Sequence, residues 1–224
     1  SPQYGTIKSS ENYERRFIMT FPNETLPKGR KQKTTALYDR FVNQGAVMGD
    51  SFGLENVLWF ANNKEDAHEE PTIKRSRSHD YVSKEVINVR ENVGLIEVAN
   101  FSKHEFKGPD ARKFLDHIMA GRLPKPGRIS LSPMLSYRGK LCGDLTVACL
   151  DENEFMVFGS GAVQEMHRRW FESHLDKFNL SYSNRSDEYH GLSIAGPNSR
   201  KVLEKIVRDD VSNEKFKFRD SRRL

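Results

Sequence analysis

Cysteine is scarce in this chain: only Cys142 and Cys149 occur among its 224 residues. Two thiols with no CxxC pairing, and no histidines at ligand spacing beside them, exclude a disulfide scaffold and a structural zinc module. Both are read as reduced packing residues of a reducing compartment. Seven residues apart in a β-rich run, they are expected on opposite faces of one strand, because strand side chains alternate. Long apolar runs are missing as well. Nothing approaches the roughly 18 consecutive apolar residues of a membrane helix, and the opening SPQYGTIKSS lacks the charged and apolar regions of a signal peptide. Neither a membrane nor export is expected. No GxGxxG follows a strand-like segment, so a dinucleotide-binding βαβ unit is not expected within these residues.

Charge of a single sign is also lacking. The 36 Lys and Arg are interleaved with 31 Asp and Glu, for a net charge of +5. The densest basic groups (Lys28, Arg30, Lys31, Lys33; Lys74, Arg75, Arg77; Arg219, Arg222, Arg223) fall in expected loops or at the end of the chain. That distribution argues against nucleic acid as a partner, which needs a basic patch or stripe. It leaves open a solvated surface or a mildly positive one that draws a small anionic ligand.

What is present is a duplication. Residues 106–118 read FKGPDARKFLDHI and residues 194–206 read IAGPNSRKVLEKI, 88 positions apart. In each, an apolar run ends at Gly-Pro (Gly108-Pro109, Gly196-Pro197), and Asp110 or Asn198 then opens a helical pattern as an expected N-cap. Ala111, Phe114, Leu115 and Ile118 in the first copy, and Ser199, Val202, Leu203 and Ile206 in the second, recur at i, i+3, i+4, i+7. Such spacing predicts one buried helix face in each copy. Each copy reads as strand, tight turn, helix.

Around this duplication three stretches are expected. Residues 1–60 form an irregular lead-in with one or two short helices and turn punctuation at Phe21-Pro22-Asn23 and Pro27-Lys28-Gly29. Residues 61–80, dense in both charges, form a linker or exposed loop, and 81–224 form the main domain. Within it a helix over 82–91 and a strand over 94–100 precede the first copy. DLTVACL (144–150) and EFMVFGS (154–160) flank Asp151-Glu152-Asn153 as a β-hairpin. Residues 161–178 read as an amphipathic helix with Val163, Met166, Trp170, Phe171, Leu175 and Phe178 on its buried face and His167 and His174 at the margin, as satisfied or solvated side chains. A strand over 190–196 feeds the second copy. The class is α+β.

Several of these segments, in this order, resemble the glycine-cleavage T-protein (aminomethyltransferase) family, and in particular the folate-binding portion of dimethylglycine and sarcosine dehydrogenases. The likeness is carried by Phe21-Pro22, Gly29-Arg30, Leu37-Tyr38, Gly45-Ala46-Val47, Phe52-Gly53 and Trp59-Phe60 in the lead-in. It continues in VGLIEVANFSKHEFKGPDARKFLDHI, MLSYRGKLCGDLTV, FMVFGSG and LSIAGPNSRKVLEKI.

The resemblance implies an aminomethyltransferase-like fold with two repeated strand–turn–helix units on antiparallel sheet. It also implies a truncated piece of a longer enzyme, with residues 1–60 joining to a flavin (FAD) domain and the second half of the folate domain, with its Tyr-Thr-Gly-Glu type motif, lying elsewhere. Tetrahydrofolate is the implied cofactor. The implied reaction captures an iminium or formaldehyde, released from an N-methyl amine such as dimethylglycine or sarcosine, as 5,10-methylene-tetrahydrofolate. Asp144 matches the family's carboxylate beside the folate nitrogens, where it would assist proton transfer from a weak aniline-like nucleophile, in a cavity dry enough to raise its pKa. Leu131, at a position where several aminomethyltransferases carry Tyr, and Thr146, Gly159 and Ser160 are the implied cofactor-binding positions, with the Gly159-Ser160-Gly161 turn allowing close approach of a flat ligand. Alternatives within the same fold are a non-catalytic binding or regulatory relative and a flavin-free folate-dependent demethylase. The family places the protein in a bacterial cytoplasm or the mitochondrial matrix.

Overall fold

The computed structural model describes residues 2–22 and 24–223; Asn23, in the expected Phe21-Pro22-Asn23 turn, and the two end residues lie outside the described residues. The chain divides into two compact units, Ser1–Glu97 with Ile194–Pro197, and Val98–Ser193 with Asn198–Leu224. The division thus falls downstream of the charged 61–80 stretch.

The first unit contains helix α1 (Pro2–Glu14), helix α2 (Tyr38–Asn43), strands β1 (Ala46–Ser51) and β2 (Leu54–Phe60), helix α3 (Ser78–Glu91) and strand β3 (Gly94–Glu97). The lead-in is therefore more regular than its sequence suggests. β1 and β2 form an antiparallel hairpin whose two-residue turn, Phe52-Gly53, has positive φ at both positions (53° and 88°). That is the backbone of a hairpin turn usually signalled by Asn-Gly, and the bulky, exposed Phe52 hides it from a sequence reading. Trp59 and Val47 are buried with Ala61, and the Trp59 ring lies 5.0 Å from that of Tyr81.

Arg30, expected on a solvated surface, instead holds the fully buried Glu55. Its Nε donates to Oε1 at 2.7 Å and its Nη2 pairs with Oε2, while the Lys31 backbone N–H adds a bond of 2.9 Å. Burial alone would raise the Glu55 carboxyl; the Arg30 and Lys31 hydrogen bonds outweigh it and hold the group below the usual carboxylate range. The 61–80 stretch has no helix or strand before Ser78 but is bonded to its surroundings. Asp66 accepts from Arg77, Asn63 and the Tyr81 hydroxyl, the last at 2.6 Å.

The second unit is built on a five-stranded antiparallel sheet in the order β5-β6-β7-β4-β8. Its strands are β4 (Phe101–Lys107), β5 (Arg128–Leu135), β6 (Leu141–Asp151), β7 (Glu154–Ser160) and β8 (Ser181–Asn184). β6 and β7 are the expected hairpin, with Val147 opposite Val157. Helix α4 (Ala111–Ile118) packs Ala111, Phe114, Leu115 and Ile118 into a core with Phe106, Leu145, Val147, Cys149, Phe155, Val157 and Phe171. The first copy of the duplicated motif therefore has the buried face its spacing predicts. Asp110 does not cap α4 with its side chain; its carboxylate accepts the Asn179 backbone N–H at 2.9 Å and Lys113 Nζ at 3.0 Å instead.

Three expectations fail locally. The 161–178 helix is broken into a 3₁₀ turn (Gly161–Val163), helix α5 (Gln164–Glu172) and a second 3₁₀ turn (Leu175–Lys177). Of the expected face, Phe171 is buried and Trp170, Leu175 and Phe178 pack against the core, but Met166 is 46% exposed, and His167, expected at the margin, is buried one helical turn before Phe171. Secondly, Cys142 and Cys149 pack against the same core. Met134 pairs with Gly143 but Leu135 pairs with Leu141, so Cys142 is the extra residue of a β-bulge, which breaks the alternation that an odd spacing assumes. Thirdly, the second copy, strand β9 (Leu192–Ala195) and helix α6 (Ser199–Leu203), has no buried residue in its helix, and Ile206 lies beyond the helix and is 73% exposed. β9 pairs with β3 in a sheet of two strands.

Candidate functional site

The sheet of the second unit has a core face and an outer face, and strand alternation assigns each residue of β5 and β6 to one of them. Leu145, Val147 and Cys149 face the core. Asp144 and Thr146 take the other phase, opposite Pro133 and Leu131 respectively in the β5–β6 register. The sequence-predicted residues Asp144, Leu131 and Thr146 are thereby brought to one face of one strand pair. Leu131 is 63% exposed, an apolar side chain left open on the sheet surface.

Leu131 and Thr146 line a cleft of about 470 Å³, closed on its other side by Arg200 and the 216–220 segment, with Phe218 and Arg219 prominent. The 216–220 segment is held to the sheet by backbone bonds, Ile129 N–H to Arg219 O at 2.9 Å and Ser221 N–H to Gly127 O at 2.8 Å, and by the Arg128–Asp220 ion pair. Apolar floor, hydroxyl and basic rim together suit a flat, partly apolar molecule with an anionic end. Asp144 sits one strand step beyond Thr146 and is solvent-exposed. The dry cavity expected to tune its carboxyl is thus not formed by the described residues.

Gly159 and Ser160 stand apart from this cleft. Gly159 is the last buried residue of β7, and the room left by its missing side chain is filled by protein: a Cβ there would lie 2.6 Å from Leu145 Cδ2 and 3.0 Å from His167 Nδ1. Gly161 is similarly committed, since a Cβ would meet the Asn100 carbonyl oxygen at 2.1 Å while its own N–H donates to that oxygen. The glycines of this turn are accounted for by packing. Ser160 is exposed at the strand end, opposite Phe101 of β4.

Behind the site lies a cluster that the sequence did not announce. His167 is 1% exposed and His104 fully buried, their rings 6.4 Å apart. His104 Nδ1 shares a hydrogen bond of 2.9 Å with the Tyr182 hydroxyl. Burial, reinforced by the neighbouring His167, pushes the His104 imidazole down to about 4; burial lowers His167 too, partly opposed by its bond to the Cys142 carbonyl. Desolvation also raises the Tyr182 hydroxyl well above its ordinary value. All three side chains are therefore neutral at physiological pH. The one hint in the sequence is the pair of glycines inside strands, Gly143 and Gly159, which leave room for a large neighbour.

The basic groups singled out by density are mostly engaged as well. Lys28 meets Glu14, Arg30 meets Glu55, Arg77 bridges Asp66 and Glu70, Arg222 meets Asp220, and Arg223 meets Glu154. No cluster of three or more metal-ligating side chains exists among the described residues, and no described helix is long and apolar enough to cross a membrane.

Comparison with known proteins gives this geometry its context. Residues 37–224 match the GCVT N-terminal domain. The chain belongs to that family. Dimethylglycine dehydrogenase, mitochondrial, of Mus musculus is 33% identical over 220 residues, covering 96% of this chain and 25% of the relative. An aminomethyltransferase of Staphylococcus epidermidis is 28% identical over 192 residues, covering 84% of this chain and 48% of the relative. The chain thus spans about a quarter of the length of the dehydrogenases it matches. Among solved structures, the glycine cleavage system aminomethyltransferase T from Bartonella henselae superposes with a TM-score of 0.70 at 21% identity, covering 85% of this chain and 47% of that one. The α+β architecture with its antiparallel sheet is the aminomethyltransferase fold.

Proposed function

We propose that this chain is the tetrahydrofolate-binding, one-carbon-transfer part of a dimethylglycine- or sarcosine-dehydrogenase-like enzyme. The observation that carries the reading is the convergence of Leu131, Thr146 and Asp144 on the outer face of β5 and β6, in a chain similar to a dimethylglycine dehydrogenase over nearly its whole length. Tetrahydrofolate, when bound, supplies two nitrogen nucleophiles that take up a one-carbon unit at the formaldehyde oxidation level. Leu131 and Phe218 offer apolar contact to its flat ring system, Thr146 a hydrogen-bonding hydroxyl, and exposed Lys217 and Arg219 attraction for its carboxylate tail. With folate bound, Asp144 would take the proton of the attacking nitrogen as its bond to carbon forms and return it to the departing amine, or to water where formaldehyde is the donor, and its carboxylate would stabilise the cationic iminium beforehand. Oxidation of the N-methyl amine belongs, on this reading, to an FAD-binding part of a longer parent chain. Ser160 and the Gly159 backbone, which stand apart from this cleft at the end of β7, are proposed as an outlying contact of the same ligand.

The test is methylene-tetrahydrofolate formation by the full-length protein with dimethylglycine or sarcosine. Asp144→Ala is expected to lower it 100-fold or more, on the order of a lost general base, while amine oxidation continues and releases free formaldehyde. Unchanged formation of methylene-tetrahydrofolate would overturn the assignment.

A further inference from the structure

His167 is a fully buried imidazole that no step above uses, and its surroundings connect it to Asp144. It rises from α5 into the core face of the sheet, directly behind the β6 bulge. Its Nε2–H donates to the Cys142 carbonyl at 3.3 Å, since a carbonyl can only accept. Cys142 is the extra residue of that bulge, and the carbonyl it offers to His167 belongs to the peptide that leads into Gly143 and then Asp144. Gly143 is cut to fit: a Cβ there would lie 2.9 Å from His167 Nε2. Gly159 of β7 is cut to fit on the other side, 3.0 Å from Nδ1. Two glycines inside adjacent strands cost β-stability, and the neighbours they share are the His167 imidazole and the Leu145 side chain.

The bulge has a consequence for the outer face. A one-residue change of pairing in a strand exchanges its two faces, and the extra residue at Cys142 lies between Leu141 and the regular Gly143–Cys149 register, so it sets how the chain enters the pairing that carries Asp144 on the outer face. With the bulge in place, Met134 pairs with Gly143, and Asp144 stands opposite Pro133 beside the Leu131–Thr146 pair. Bulges beside functional sites commonly re-aim a side chain in this way.

We propose that His167 is a positioning residue for Asp144, fixing the Cys142 bulge through its Nε2–H bond and its wedge between Gly143 and Gly159. This inference rests on Asp144 acting in one-carbon transfer as proposed above. The residue itself touches no folate and moves no proton.

The experiment uses the full-length enzyme and follows methylene-tetrahydrofolate formation alongside amine oxidation. His167→Leu is expected to lower kcat for methylene-tetrahydrofolate about 10- to 100-fold, the scale of a misplacement of about 1 Å. The KM for tetrahydrofolate should move less than about threefold, with amine oxidation unchanged. His167→Gln, whose amide can reproduce the Nε2–H donor, is expected to recover most of the loss. In an Asp144→Asn background His167→Leu should add less than about twofold, because its effect passes through the missing carboxylate. A full additional loss in that background, or wild-type kcat in His167→Leu, overturns the proposal. If His167→Leu does not fold, Gly143→Ala, which presses a methyl group on the same nitrogen, makes the same test, and full activity in it overturns the proposal equally. Full methylene-tetrahydrofolate formation by Asp144→Asn alone would instead remove the Asp144 reading, and this inference with it, a result recognisable without any His167 variant.

Discussion

The two copies of the duplicated motif begin from the same instructions and end in different environments. In both, the chain leaves a strand through a glycine at positive φ, 137° at Gly108 and 114° at Gly196, and turns into a helix over Gly-Pro. In both, the helix N-cap residue makes no side-chain capping bond. The first copy lies wholly within one compact unit, and its Phe106, Ala111, Phe114 and Leu115 are fully buried. The second is divided between units at Pro197/Asn198, and its counterparts Ile194, Ser199, Val202 and Leu203 are only partly buried. A local sequence pattern thus fixes the turn and the start of the helix, whereas burial depends on what the rest of the chain brings alongside.

The sharpest way to break this comparison is to truncate matching core positions. Phe114→Ala should cost about 4 kcal/mol, as for a fully buried aromatic, while Val202→Ala, its counterpart, should cost about 1 kcal/mol or less. Urea unfolding of the two variants measures both, and equal losses would refute the difference drawn here.

Acid should separate the copies next. His104, two residues ahead of the first copy, has as its counterpart ahead of the second Leu192, which cannot titrate. His104 binds a proton near 6.5 when unfolded but only near 4 in the folded protein, facing Phe171, the Tyr182 hydroxyl, the like-charging His167 and the opposing Glu165. The unfolded chain therefore binds more protons between these values. Stability is complete above about pH 6.5 and falls as pH drops toward about 4, by about 3 kcal/mol from this residue. His104→Gln should flatten the pH dependence of the urea midpoint over that interval, and an unchanged slope would contradict the assignment.

The turns, by contrast, should behave alike. Gly108→Ala and Gly196→Ala each force a side chain onto a positive-φ backbone, with Cβ 2.7 Å from Leu180 Cα in one and 2.4 Å from the Asn92 carbonyl oxygen in the other. Each should cost about 2–3 kcal/mol, and a large disparity would show that the shared turn is not shared in energy. The smallest effect belongs to Ile206→Ala, within about 0.5 kcal/mol because the side chain is 73% exposed, against several times that for Ile118→Ala, its buried counterpart.

Much of the fold was legible in the sequence for the same reason that the first copy is regular. Period-two and period-3.6 patterns report burial on one side, so the β6–β7 hairpin and the α4 face could be read from Val147, Val157, Phe114 and Leu115. What escaped depends on long-range contacts. The lead-in hairpin turns on Phe52-Gly53, whose backbone belongs to a turn that its residues do not advertise. The Arg30–Glu55 pair joins residues 25 apart in sequence, and nothing local distinguishes Arg30 from its solvated neighbours. The Cys142 bulge reversed the expected face of one cysteine, and His167 occupies the buried face of α5 because Gly143 and Gly159, distant in sequence, leave space for its ring. Of the site, Asp144, Leu131 and Thr146 share a face, while Gly159 owes its size to Leu145 and His167.

The most direct test of the central claim is calorimetric titration of tetrahydrofolate into the full-length protein and into its Leu131→Glu variant. Leu131 is exposed, so the substitution should leave the fold intact while placing a charge on the apolar floor of the cleft. Binding by the wild type, weakened at least tenfold in Leu131→Glu, is the predicted result. Equal affinity in both, or no binding to either, would contradict the assignment of this face to folate.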